Sequence, residues 1–390
     1  NRLVLNKYFD YTIPRAFGKK ITTFGLGDRL GLASAAHIKT LSGRNIKPVL
    51  AQQSKRELEL TGRTYDDVLD AACFAVIQEG YKGGFGADGD HLKEERYIKE
   101  ALDSGYSMIT LDCSDKIDNS VEHSTYDTLL EKYSRLPANI KDYYEGKYLG
   151  KKYTLGGNTL CFDKETLIKN VLIYSEVINF IEEIHTKYIK SAGRDIDFEI
   201  SLDETISPTT IYGHFMVANE ISDRKINISS MAPRFVGEFQ KGIDYIGDII
   251  EFERNFKSHA QIADCFGYKL SIHSGSDKFS IYEIIGKHTG QRLHIKVSGT
   301  NWLEAVRVIA AKNPKLFRRM HKHALEVFDE AKRYYHVSAD MSTIKDIDSV
   351  SDEELLEYFN DNNSRQLMHI TYGFLLQAEK DGKRLFKDNI

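Results

Sequence analysis

The chain has 390 residues, 41% of them apolar, and a formal net charge of -4 with acidic and basic residues interleaved throughout. That suffices for a large core in one α/β domain or two, and the mixed charge offers no basic stripe for a nucleic acid. With no run of 18 apolar residues and no basic start followed by an apolar run and a cleavage site, neither a membrane span nor a secretion signal is expected, and the cytoplasm is the expected compartment.

The first element is strand-like, "ITTFGL" (21–26), followed by the turn "GLGDRLG" and the small-residue run "ASAAHIKT". "KPVLAQQ" (47–53) precedes "SKRELELTG", and "GYKGGFGAD" leads into "LKEERYIKEALDSG", a helix closed by Gly105, with "YSMITLD" (106–112) next. These intervals predict repeated strand-helix units. Residues 113–162, rich in Tyr, Lys and Gly, interrupt the pattern and are expected as an insertion after the fourth strand, a lid or an oligomer contact. A long helix starts behind Asp163 as its cap. "DIDFEISL" (195–202), "KINISSM" (225–231), "GYKLSIH" (267–273) and "QRLHIKV" (291–297) continue the series, with Pro208 opening a helix between the first two.

Eight strand candidates thus begin near residues 21, 47, 83, 106, 196, 225, 268 and 291. Eight is the number that closes a (β/α)8 TIM barrel, which carries its chemistry on the loops after the strand C-terminal ends. An open doubly wound sheet with additions would show a similar alternation. The expected organisation is an α/β barrel domain over 1–312, including the 113–162 insertion, and a helical C-terminal extension over 313–390 packed on the barrel. Four widely spaced cysteines, Cys73, Cys113, Cys161 and Cys265, read as free thiols. "GLGDRLG" lacks the G-x-G-x-x-G spacing and places an acid inside the turn, so no nicotinamide cofactor is expected.

Polar residues gather at the ends of these strands. The first offers Asp28 and Arg29, the second Gln52 and Gln53, the third Asp88, Asp90 and His91, and the fourth Asp112. The fifth carries Glu199, Ser201 and Asp203, the sixth is followed by Arg234 and Glu238, the seventh ends at His273, Ser274 and Ser276, and the eighth holds His294 and Lys296. Together they have the ingredients of a nitrogen- and oxygen-liganded divalent metal site with carboxylates left for acid/base work. His91 stands out because it follows a glycine-interrupted strand end beside Asp90, and His273 because its strand gives way to small residues in "SIHSGSD". His294, between apolar neighbours, suits burial behind the site or a substrate contact, and "HSGSDKFS" suits an anion-holding turn. His37, His214, His259 and His288 lie in helix-like segments and read as structural or surface residues.

"FGADGDHLKEERYIKEALDSGYSMITLDCS" and "LSIHSGSDKFS" resemble segments of class II metal-dependent aldolases. A closer and longer resemblance is to the tagaturonate epimerase family. It runs through "TTFGLGDRLGLAS", "QQSKRELELTGRTYDDVLDAA", the Asp-His segment, "MAPRFVGEFQKG", "HSGSDKFS" and "HITYGF". This resemblance implies a metal-dependent sugar-acid epimerase interconverting D-tagaturonate and D-fructuronate, with one divalent ion (Zn, Mn, Co, Fe or Ni) and a possible homo-oligomer. It implies His91, Glu238 and His273 as metal ligands, with His294 as the alternative to Glu238, and Asp90 and Glu199 as the proton-transferring pair. Asp28, Arg29, Gln52, Ser274, Ser276, His294 and Lys296 are the expected substrate contacts. An aldolase acting on a sugar or sugar acid is the alternative reading. The two epimers differ at the carbon β to the ketone, whose C-H bond the carbonyl does not activate, so the expected route is retro-aldol cleavage and recondensation.

Overall fold

The computed structural model describes residues 1–390 apart from Ser298, with the Asn158 side chain also outside the description. Among the described residues eight parallel strands close a barrel in the order β1-β10-β9-β8-β7-β4-β3-β2. These are β1 (Thr23–Leu26), β2 (Lys47–Ser54), β3 (Gly86–Leu92), β4 (Met108–Asp112), β7 (Asp197–Leu202), β8 (Ser230–Pro233), β9 (Lys269–Ile272) and β10 (Leu293–Val297), while β5 (Lys152–Leu155) and β6 (Asn158–Cys161) form a separate antiparallel hairpin. The closed barrel, and not the open sheet, is therefore the architecture. The strands are buried on both faces, as parallel strands between a filled interior and a jacket of helices must be. The sixth strand begins at Ser230 rather than near 225, because the preceding helix runs to Asp223 and the chain turns at Lys225, φ +57, just past its cap.

Side chains alternate along each strand, so every second residue enters the barrel. On β7 these are Asp197, Glu199 and Ser201; on β10, His294 and Lys296. Asp197, at the N-terminal end, accepts the amides of Phe17 (2.7 Å) and Gly18 (2.8 Å), which draws the N-terminal segment across that end. Above it Lys269 Nζ donates to Thr23 Oγ1 (3.0 Å), and His294 Nδ1 lies 2.8 Å from the same oxygen. The interior is a packed column, not a pore.

Residues 113–162 fold into two helices, Tyr126–Ser134 and Ala138–Tyr148, and the β5-β6 hairpin. This unit is tied to the barrel's outer helices: buried Glu220 accepts from Tyr148 Oη (2.7 Å), Lys147 Nζ (2.6 Å) and Tyr143 Oη (3.0 Å). The C-terminal helices enclose a second apolar core around Phe317, Met320, Leu367 and Tyr372. That core already includes Trp302 and Val306, so the extension's packing starts in the helix Asn301–Lys312, before residue 313. It is anchored to the barrel mouth by Arg29, which donates to the His369 carbonyl (2.8 Å) and lies 3.6 Å from the Tyr372 ring centroid. All four cysteines are free thiols. No helix among the described residues is long and apolar enough to cross a membrane.

Candidate active site

The end of β3 shows how the sequence builds the site. The strand runs unbroken through Leu92, and its register against β4 shifts between Gly89 and Leu92, so an extra residue is inserted there. Such a bulge re-aims side chains. Here His91 takes φ +52, and the adjacent Asp90 and His91, which strict alternation would send to opposite faces, both line the same cavity. Gly89 makes room on the outer face: a Cβ there would come within 2.9 Å of Leu92 Cδ1 and 3.1 Å of Ala101 Cβ.

The cavity, about 720 Å³, opens at the C-terminal mouth of the barrel and is lined by Gln52, Asp90, His91, Asp203, His273 and Lys296 at its inner end. Lys296 is the hub. Its ammonium lies 2.6 Å from Asp90, 2.9 Å from Asp88 and 3.0 Å from Glu199, and it also donates to Thr110 Oγ1. One cation cannot neutralise three buried carboxylates, and the burden is unevenly shared. Burial pushes the Asp88 carboxyl up to about 6 against the pull of Lys296. Burial also opposes charge on Asp90, but Lys296, His91 and His273 outweigh it and hold that carboxyl well below the usual range. Gln52 Nε2 donates to the other Asp90 oxygen at 2.9 Å.

Glu199 is fully buried beneath the cavity. Its Oε2 accepts from Ser230 Oγ (2.5 Å) and its Oε1 lies 2.8 Å from His273 Nε2. His273 is thereby steered by β7, and its ring stands edge to face with His91 at 4.8 Å. Its Nδ1 lies 2.9 Å from Asp203 Oδ1. His91 is surrounded by Asp90, Asp112 (3.3 Å) and Glu204 (3.9 Å). Burial opposes its protonation, but these carboxylates prevail and raise it to about 10. Two imidazoles whose ring nitrogens face carboxylates in one acidic pocket suit a divalent cation. One donor atom each from His91, Asp203 and His273 lies within 4.8 Å of the other two. His91, Asp112 and Glu204 form a second such group.

The structure brings Asp90, His91, His273, Gln52, Lys296 and Ser274 together on one cavity. Glu238 also lines it but lies outside the histidine group, paired with His336 at 3.2 Å and Arg234 at 3.9 Å, while Asp203 stands beside His273. Four expected contacts are not on the cavity wall. Asp28 spends both oxygens on the amides of Gly31, Leu32, Ala33 and Ser34, bracing the first turn. Arg29 is buried against Glu57 (3.2 Å) and the extension. His294 sits a layer below, its ionisation suppressed by burial to about 3. Ser276 is buried with its hydroxyl unpartnered among the described residues. No described residue of 113–162 lines the cavity; the expected lid's place is taken by Tyr334, Tyr335 and His336 of the extension. Asp203, named among the strand-end residues but not as a ligand, stands with the two histidines because it continues the inward series 197, 199, 201 by one step.

A closed parallel barrel whose C-terminal mouth gathers two histidines, several carboxylates and one buried ammonium is the architecture of an enzyme that moves protons on a small polar substrate. The family model "UxaE: tagaturonate epimerase" matches residues 1–390, and the chain belongs to that family. It is 43% identical over 388 residues to the tagaturonate/fructuronate epimerase of Thermotoga maritima, covering 99% of this chain and 80% of that protein. The native crystal structure of fructuronate-tagaturonate epimerase UxaE from Cohnella laeviribosi superposes with a TM-score of 0.99 at 57% identity, covering 100% of this chain and 80% of the other. Its one-glycerol complex gives the same values.

Proposed function

We propose that this chain interconverts D-tagaturonate and D-fructuronate by opening and reclosing the bond beside the carbon that is inverted. The observation that carries this reading is the meeting of Asp90, His91 and His273 on one cavity in a chain 43% identical to a tagaturonate/fructuronate epimerase. His91, His273 and Asp203 would hold a divalent ion. Glu238 is the alternative third ligand, and the mixed nitrogen and oxygen donors suit Mn, Co, Fe or Ni as well as Zn. When bound, such an ion polarises the ketone and stabilises negative charge on oxygen.

The chain's own residues handle the proton. Asp90, held ionised by Lys296, accepts the proton of the β-hydroxyl as the C-C bond breaks and the aldehyde forms. Lys296 links Asp90 to Glu199 and to Asp88, whose carboxyl burial pushes up to about 6, so the expected proton pair shares one hydrogen-bonded network. After the aldehyde turns its other face, the proton returns from this network and the bond recloses. Glu199, out of contact with the cavity, acts by orienting His273.

The test is to incubate metal-supplemented protein with D-tagaturonate in deuterium oxide. D-fructuronate should accumulate with its inverted carbon free of deuterium. Deuterium at that carbon would overturn bond cleavage, and net release of three-carbon products would favour an aldolase.

A further inference from the structure

The cavity carries two more cations that the proton chemistry does not use. Arg56, just beyond β2, and Lys241, on the loop after β8, both line it, as does Ser274 at the end of β9. Arg56 stacks over the Tyr335 ring at 4.7 Å and donates one Nη1 bond to the Tyr334 carbonyl (3.1 Å). Its buried Nε has no hydrogen-bond partner, and Arg56 forms no ion pair with a carboxylate among the described residues. Of the two acids on the cavity that act on Arg56, Glu204 and Glu57, the second is already paired with Arg29. Lys241 Nζ donates to Ser274 Oγ at 2.9 Å. Ser274 holds φ +49, a conformation that costs energy for a residue other than glycine, and lines the same cavity.

A guanidinium, an ammonium and a hydroxyl lining one cavity form a receptor for a planar anion. We propose that Arg56, Lys241 and Ser274 bind the substrate's carboxylate, which rests on the epimerase reading above. The consequence follows from where the bond breaks. In a 2-ketohexuronate the carbon β to the ketone is C4, so cleavage of C3–C4 leaves the carboxylate on the three-carbon aldehyde that must turn over. Bond and proton balance: the C3–C4 electrons pass to the ketone-bearing fragment, the C4 hydroxyl proton passes to Asp90, and a C4 carbonyl forms; recondensation reverses each step. The carboxylate site therefore tethers the fragment at its far end while its aldehyde end rotates, which converts an aldolase geometry into an epimerase.

The test uses full-length, metal-supplemented Arg56→Gln and Lys241→Met, with Arg56→Lys as the charge-preserving variant should either fail to fold. Losing one partner of a desolvated ion pair should raise KM for D-tagaturonate roughly 100-fold, with Arg56→Lys recovering part of it. The three-carbon aldehyde acid, trapped with a hydrazine, should exceed the wild-type level. KM within threefold of wild type in both neutralising variants overturns the carboxylate site, and trapped aldehyde at the wild-type level overturns the tether. Calorimetric titration separates this from the function itself: if wild type binds D-tagaturonate without turning it over, the epimerase reading fails. The site then stands if the variants lose that affinity while D-tagatose, which lacks the carboxylate, binds as before, and falls if both sugars lose affinity alike.

Discussion

Asp90 and His91 are neighbours that should fail differently. Asp90→Asn removes the proton acceptor but leaves the imidazoles, so metal content should hold while kcat falls roughly 100- to 10,000-fold. His91→Ala should lose bound metal first, as metal analysis of the purified variant will show, with part of the activity returning in excess metal. The third ligand is decided by a pair of variants: Asp203→Ala should weaken metal binding at least about 10-fold, and Glu238→Gln should leave it within about twofold. Retention by the first and loss by the second would restore Glu238. That His91 and His273 share one cavity was legible from their places at the ends of two separate strands, His91 beside Asp90 after a glycine-interrupted run and His273 before a run of small residues. Asp28 and Arg29 looked equally available, and the sequence had no means of showing that four amides surround one and that Glu57, His369 and Tyr372 enclose the other. Those contacts come from residues up to 340 positions away.

Between elements, several histidines serve as buried neutral joints. His214 and His259 face each other at 2.8 Å between the helices Ile211–Asp223 and Ile249–Phe266, and His321 lies against Tyr358 with both ring nitrogens unpartnered among the described residues. Burial lowers His259 and His321 from 6.5 to about 4. A group with a depressed folded pKa binds fewer protons folded than unfolded, so stability should fall as pH drops from about 6.5 toward 4. Asp88, raised to about 6, and Asp197, also raised by burial, oppose this, but the buried histidines lowered by burial, His214, His259, His294, His321 and His369, outnumber them. Thermal melts across that range should show the decline, and His321→Leu should decline less steeply; parallel slopes would refute the joint role. These helices and strands were largely readable, because periodicity and glycine punctuation are local signals. The role of 113–162 was not, because whether an insertion covers the mouth or grips the flank depends on contacts such as Tyr148 with Glu220, 72 residues apart.

At the level of the whole molecule, barrel and extension are joined at the mouth through Arg29, whose guanidinium touches Glu57, the His369 carbonyl and the Tyr372 ring. Arg29→Ala strands Glu57 as a buried unpaired charge and should cost about 3–5 kcal/mol, measured by chemical denaturation. A loss under 1 kcal/mol would mean the two units hold together without it. The other end of the barrel has its own consequence. Asp197 pins Phe17 and Gly18 there, and Lys269, Thr23 and His294 fill the column above. With that floor sealed, both sugar acids must share a single doorway, one leaving before the other can enter. Each is then an obligatory competitor of the other, and the direction of traffic is set by supply and removal outside the protein.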